Sequence, residues 1–183
     1  MKTADIHLFV YRRPWDQVLL PHSDGLLARA AEKFSGHPGD WAVSRPRGEK
    51  PFFTHHPELH FSLSHSGDFW VCAMARQALG LDLQQQRVHQ LERLSRRFFS
   101  REELAFLESQ DYQDFFSVWT AKEAFVKFSG QGIDRDFSGF SVAGPEGLLS
   151  RVQGLRLRHL PFLPDYALCL CAREVETVLL RLL

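Results

Sequence analysis

The sequence predicts an α+β protein with helices and strands segregated along the chain, and three observations carry that prediction. Short runs of strand character occupy the first half: IHLFVY (6–11), HFSLS (60–64), FWVCAMA (69–75) and LGLDLQ (79–84). The period then turns helical through RVHQLERLSRRFF (87–99), REELAFLES (101–109) and the stretch from Phe115 to Ser129. After Gly130 strand-like runs return in FSGFSV (137–142), LRLRHL (155–160) and DYALCLCAR (165–173). Each half therefore mixes a helix with strands, a pattern of segregated α+β layers.

Taken in order, IHLFVY is the first strand. Ser23 or Asp24 is positioned to cap a helix through GLLARAAEKF (25–34), which Gly36 stops. A loop rich in Gly, Pro and Arg follows, SGHPGDWAVSRPRGEKP (35–51). HFSLS alternates apolar and polar residues, HSGD (65–68) makes a turn, and FWVCAMA reads as a buried strand. Ser100 and Glu103 form a capping box that opens REELAFLES. The next helix, 115–129, contains no Gly or Pro, and Gly130 stands where a C-terminal stop belongs. At about 100° per residue its apolar groups go nearly all the way round, which describes a buried helix. It nevertheless carries Lys122, Glu123 and Lys127, with Trp119, Glu123 and Lys127 on one face. Charges among buried aromatics cost free energy unless something pairs with them.

With 183 residues, 44% hydrophobic and 24% charged, the chain is long enough to bury a core as one domain or two small lobes. A net charge of zero gives no general attraction to nucleic acid or membrane surfaces. The apolar runs are too short for a membrane-spanning helix, and MKTADIHLFVYRRPW lacks the apolar core of a secretory signal. The odd set Cys72, Cys169 and Cys171, with no CxxC pair, points to reduced core thiols in a cytoplasmic protein.

Three pieces of the sequence carry chemistry. Asp82 and Gln84 alternate on one strand and share a face. A carboxylate beside an amide oxygen suits a hard cation such as Mg²⁺, and it equally suits a strand end meeting solvent. RPRGEKPFF (45–53) and SLSHSGD (62–68) bring Arg45, Arg47, Lys50, Ser64 and His65 onto neighbouring segments. Gly48 allows close backbone approach and the cations suit phosphate, or a solvated basic loop. The buried helix supplies Glu123 and Lys127, followed by glycines in SGQGI (129–133) that let a loop approach a ligand. Glu123 and Lys127 form either an ordinary i,i+4 pair or part of a site for an ion or a phosphate.

The order of these pieces resembles the 4′-phosphopantetheinyl transferases, in the longer class that modifies carrier proteins of synthases and synthetases. That family carries G-K-P, S-H-S, G-[VI]-D-[IL]-E, F-[ST]-x-x-E and W-x-x-K-E-[AS]-x-x-K. Here the matching text is GEKP (48–51), LSHS (63–66), GLDLQ (80–84), RFFSREE (97–103) and WTAKEAFVK (119–127). DFSGFSV and DYALCLCA resemble the family's final strands, so the resemblance runs from about Arg45 to Ala172.

The resemblance implies two similar α+β lobes with pseudo-twofold symmetry, residues 1–79 and 80–183, with the metal site in the second. It implies a monomer and an enzyme of the holo-[acyl-carrier-protein] synthase type. Such an enzyme uses Mg²⁺ to transfer phosphopantetheine from coenzyme A to a serine of an apo carrier protein, releasing 3′,5′-ADP. By the same resemblance Asp82 and Glu123 are the metal ligands, with Gln84 standing where most members have an acid and reaching the metal through water. Glu123 matches the general base and Lys127 a phosphate-holding catalytic residue, while Lys50, Ser64 and His65 match coenzyme A contacts and Lys122 either does the same or faces solvent. Arg29 is the nearest cation where the family's usual Gly-Arg is replaced by Asp24-Gly25. An acidic carrier would dock on Arg87, Arg93, Arg96, Arg97 and Arg101. The competing expectation is a non-catalytic coenzyme A-binding relative that regulates carrier proteins.

Overall fold

Strand β5 (Phe69–Ala75) has all seven residues buried, and its alternate side chains show why. Phe69, Val71, Ala73 and Ala75 point into one apolar cluster, and Trp70, Cys72 and Met74 into another. A strand covered on both faces reads as an unbroken apolar run. In the computed structural model, which describes residues 5–14, 16–17, 22–87, 90–130 and 137–183, this strand lies in the first of two stacked sheets.

The first sheet has the order β12 (Thr177–Leu182), β1 (Asp5–Arg12), β5 and β4 (His60–Ser66). The second has the order β6 (Leu79–Gln85), β11 (Tyr166–Ala172), β10 (Leu155–His159) and β9 (Arg151–Val152). Their facing sides meet through Leu8 and Val71 on one side and Leu81, Leu83 and Leu170 on the other. Helix α1 (Ser23–Ser35) covers the outside of the first sheet, packing Leu27 and Phe34 with Phe9 and Trp70. Helix α4 (Phe115–Ser129) covers the outside of the second, over Leu157, Cys169 and Cys171, beside α2 (Leu91–Phe98) and α3 (Arg101–Ser109). Two short hairpins, β2 (Val43–Ser44) with β3 (Phe52–Phe53) and β7 (Ala143–Gly144) with β8 (Gly147–Leu148), complete the described elements. The order helix, sheet, sheet, helix is a mixed α+β architecture, as expected. The last strand returns to the first sheet, where β12 pairs in parallel with β1.

The joint between the sheets runs along β4 and β6. These strands are not ladder neighbours; alternate serines of β4 bridge them instead. Ser62 Oγ accepts from Leu81 N–H at 2.9 Å, and Ser66 Oγ accepts from Gln85 N–H at 2.9 Å. Between them Ser64 Oγ donates to the Asp82 carboxylate. The alternation that reads as an ordinary half-exposed strand is thus a polar seam.

Local signals fare unevenly. The capping box at Ser100 and Glu103, the bounds of α4, and the left-handed stops at Gly36 and Gly130 stand as the residues predict. The cap of α1 differs: His22, rather than Ser23 or Asp24, accepts from Asp24 N–H. Helix α2 begins at Leu91, and Val88 and His89 lie outside the described residues, as does 131–136 with the rest of the glycine segment after Gly130. FSGFSV is not a strand. The Phe140 carbonyl there accepts from the Lys122 ammonium, and Val142 N–H donates to Glu103, so side chains replace a ladder.

Gly80 sets the distance between β6 and α4. A Cβ built on it would overlap the Ala124 carbonyl and stand 2.6 Å from the Phe128 nitrogen, both backbone atoms. Gly80→Ala therefore forces helix and strand apart. The expected cost is about 3 kcal/mol, a fall of roughly 6–12 °C in melting temperature by calorimetry. An unchanged melting temperature would show that α4 is free to shift.

Candidate functional site

Since Leu79, Leu81 and Leu83 turn in between the sheets, Gly80, Asp82 and Gln84 must turn toward α4. Gly80 lets the helix lie close, and one step along the strand Asp82 meets it. Lys127 Nζ stands 2.6 Å from Asp82 Oδ1, and Ser64 Oγ donates to the same oxygen at 2.9 Å. Gln84 Nε2 donates to Asp82 Oδ2 at 3.2 Å. Asp82 is 1% exposed, so three donors hold a carboxylate that water scarcely reaches. The ion pair of Lys127 is thus made across to β6 and not along the helix to Glu123.

Glu123, one turn before Lys127, is 6% exposed. Burial first, and the negative charge of Asp82 second, push its carboxyl up to about 7, with Lys127 opposing. Two neighbouring buried acids, with Lys127 as the ammonium beside them, form a donor set that fits a divalent cation.

Beside them lies a cavity of about 310 Å³, lined by Lys50, Pro51, Phe61, Leu63, Glu123 and Lys127 among others. Lys50 reaches it from the turn at Gly48 and donates to the Leu79 carbonyl. Burial draws its ammonium down to about 8. The walls are apolar and the charged groups are few and convergent, as in a small-molecule site.

The structure thus brings Lys50, Ser64, Asp82, Gln84, Glu123 and Lys127 together. It places the other candidates elsewhere. His65 is exposed, on the opposite face of β4 from Ser64. Arg29 is exposed on α1 and does not line the cavity. The cation that meets Asp24 at the start of that helix is Arg45.

Lys122 is corrected outright as a coenzyme A contact. It is fully buried, donating to both Glu103 oxygens at 3.0 and 2.9 Å and to Phe140 O at 2.6 Å, with the Phe140 ring 4.1 Å away. Burial lowers its pKa and Glu103 opposes that. Glu103 also accepts from the Ser100 and Val142 amides, so the pair ties α3, α4 and the chain before β7 into one node. The capping box marks Glu103 in the sequence, but only packing sets its pairing with Lys122.

The five arginines around α2 are all exposed. Arg96 pairs with Glu92 and Glu108, Arg87 and Arg93 donate to Gln85 and Gln90, and Arg97 lies over the Phe98 ring.

With this geometry in hand, comparison with known proteins is decisive about kinship. The model of the 4′-phosphopantetheinyl transferase superfamily matches residues 78–171, from β6 through β11, and so takes in Asp82, Glu123 and Lys127. The chain belongs to that superfamily. Among its relatives, 4′-phosphopantetheinyl transferase Sfp of Bacillus subtilis (strain 168) is 35% identical over 97 residues, 51% of this chain and 43% of Sfp. A 4′-phosphopantetheinyl transferase of Bacillus subtilis is 32% identical over 124 residues, 65% and 55% of the two chains. 4′-phosphopantetheinyl transferase HetI of Nostoc sp. (strain PCC 7120) is 43% identical over 82 residues, 41% and 34%. The chain spans about half the length of the curated relatives it matches.

A carboxyl held at about 7 in the fold and about 4.3 unfolded binds its proton more tightly when folded. Its contribution to stability is therefore present at low pH and lost as pH rises from about 4 to 7. In EDTA, Glu123→Gln should stand increasingly above the parent in melting temperature across that range and by a constant margin above pH 8. Parallel melting curves would remove the raised proton affinity. Separately, Lys122→Met leaves Glu103 charged and buried, at a cost of about 3–5 kcal/mol in urea unfolding. The double variant Lys122→Met, Glu103→Gln should recover at least half of that loss.

Proposed function

We propose that this chain transfers 4′-phosphopantetheine from coenzyme A to a serine of an apo carrier protein. The observation that carries the reading is the meeting of Asp82, Glu123 and Lys127 beside an apolar cavity, within the segment that the superfamily model matches. The serine oxygen forms a bond to the β-phosphorus of coenzyme A. The bond from that phosphorus to the bridging oxygen breaks, and 3′,5′-ADP leaves with the electron pair.

Glu123 takes the serine proton, directly or through water. Its carboxylate lines the cavity, within reach of a hydroxyl brought there. Lys127 and Lys50 hold phosphate oxygens, and Pro51 and Phe61 give the ligand apolar walls. His65 is a phosphate candidate by the motif match alone, since it does not line the cavity. Asp82 and Glu123 would hold Mg²⁺, with Gln84 reaching it through water, and the ion would neutralise charge developing on the diphosphate.

The relatives' names support a general phosphopantetheinyl transferase of the Sfp kind over the narrower holo-[acyl-carrier-protein] synthase. The exposed arginines around α2 supply a basic surface for an acidic carrier. We further propose a monomer in a reducing cytoplasm, built as lobes 1–79 and 80–183, with the last strand β12 of the second returning to pair with β1 of the first. Among the described residues no helix is long and apolar enough to cross a membrane. The second reading, a non-catalytic coenzyme A-binding relative, draws on Gln84 standing in the place of an acid.

Intact-mass spectrometry of apo carrier proteins decides between them. Carrier incubated with this protein, coenzyme A and Mg²⁺ should gain the phosphopantetheine mass, and EDTA should abolish the gain. Asp82→Ala should slow it by about a hundredfold or more. Coenzyme A binding without mass gain on any carrier would select the non-catalytic reading.

A further inference from the structure

Ser64 differs from its neighbours in the seam between the sheets. Ser62 and Ser66 accept from backbone amides of β6, whereas Ser64 donates, to Asp82 Oδ1 at 2.9 Å and more distantly to Leu83 O at 3.4 Å. A hydroxyl has one proton. The shorter, charge-assisted bond takes it, and both partners are buried, Ser64 at 6% and Asp82 at 1% exposure. Phosphate oxygens are acceptors, so a serine whose proton is committed to a carboxylate has nothing to donate to them.

The lone pairs of Asp82 point the same way. Oδ1 accepts from both Ser64 and Lys127, which fills it, and among the described residues Oδ2 accepts from Gln84. Oδ2 therefore keeps the lone pair available to a cation. Lys127 comes from α4 and Gln84 from β6 itself. Ser64 is the donor to Asp82 that comes from the other sheet.

We propose that Ser64 is a positioning residue for Asp82 and not a contact to coenzyme A: its hydroxyl ties Oδ1 to β4 and leaves Oδ2 for the divalent cation. The inference rests on the reading that Asp82 holds that cation. It makes β4 part of the metal site although β4 supplies no ligand to it. Partners of this kind typically change metal affinity by 10–100-fold when removed.

Two titrations separate positioning from phosphate contact. The first measures Mn²⁺ affinity at saturating coenzyme A, from the paramagnetic resonance of the free ion. The second measures coenzyme A affinity in EDTA by calorimetry. Ser64→Ala and the near-isosteric Ser64→Cys should lose about tenfold or more in Mn²⁺ affinity. Their metal-free coenzyme A affinity should stay within about twofold of the parent. Ser64→Thr keeps the hydroxyl and should restore Mn²⁺ affinity to within about threefold, while Ser66→Ala should lower the melting temperature and leave Mn²⁺ affinity unchanged. If Ser64→Ala is too unstable to purify, Ser64→Cys decides. The reverse result, unchanged Mn²⁺ affinity with weakened coenzyme A binding in EDTA, overturns the proposal and makes Ser64 a phosphate contact. A parent protein that binds coenzyme A but shows no Mn²⁺ binding sensitive to Asp82→Ala overturns the metal reading, and the proposal with it.

Discussion

The close approach of α4 to β6 is the constraint on which the rest of the structure depends. The helix backbone occupies the volume a side chain would need at Gly80, so α4 lies directly on the strand. That contact brings Lys127 within 2.6 Å of Asp82 and leaves Glu123 in the field of the same carboxylate. Wider spacing would admit water between them, and the pair would become a screened surface ion pair of little consequence. A missing side chain thus sets the electrostatics of the site.

A helix buried nearly all round has to settle its charges, and α4 does so on two sides by different means. Toward α3, Lys122 is matched in full: two carboxylate oxygens and a backbone carbonyl receive its protons, within an aromatic surround. Such closure gives rigidity and leaves no group free for chemistry. Toward β6 the match is incomplete, because two acids face one lysine, and Glu123 bears the strain as a raised proton affinity. Adjacent residues of the helix, Lys122 and Glu123, therefore serve different ends. The unbalanced side is the one that opens on a cavity.

The seam of serines gives the two sheets a joint unlike a continuous ladder. Side-chain hydroxyls take the place of strand pairing between β4 and β6, so the first sheet reaches the acid cluster through Ser64. The returning strand β12 adds a second tie, by pairing with β1 after the chain has built the second sheet. Both ties fix the position of β6, and with it Asp82, relative to the first sheet.

The sequence by itself determined the local elements and the residue types of the site. Periodicity marked α4, the capping box marked α3, and unbroken apolar runs marked β5 and β11, because these signals depend on neighbours close in the chain. It also carried Asp82, Glu123 and Lys127 as a motif series, which lies within the segment that the superfamily model matches. Pairings between distant residues were decided by tertiary structure alone. Lys127 is bound to Asp82 and not to its helical neighbour, Lys122 belongs to Glu103, and FSGFSV gives up strand pairing to satisfy that buried pair. Strand β12 escaped notice because Leu180 and Leu182 remain largely exposed, so its pattern signals no buried face. Spacing along a chain limits which side chains share a face, whereas a buried charge takes the partner that packing brings within hydrogen-bond distance.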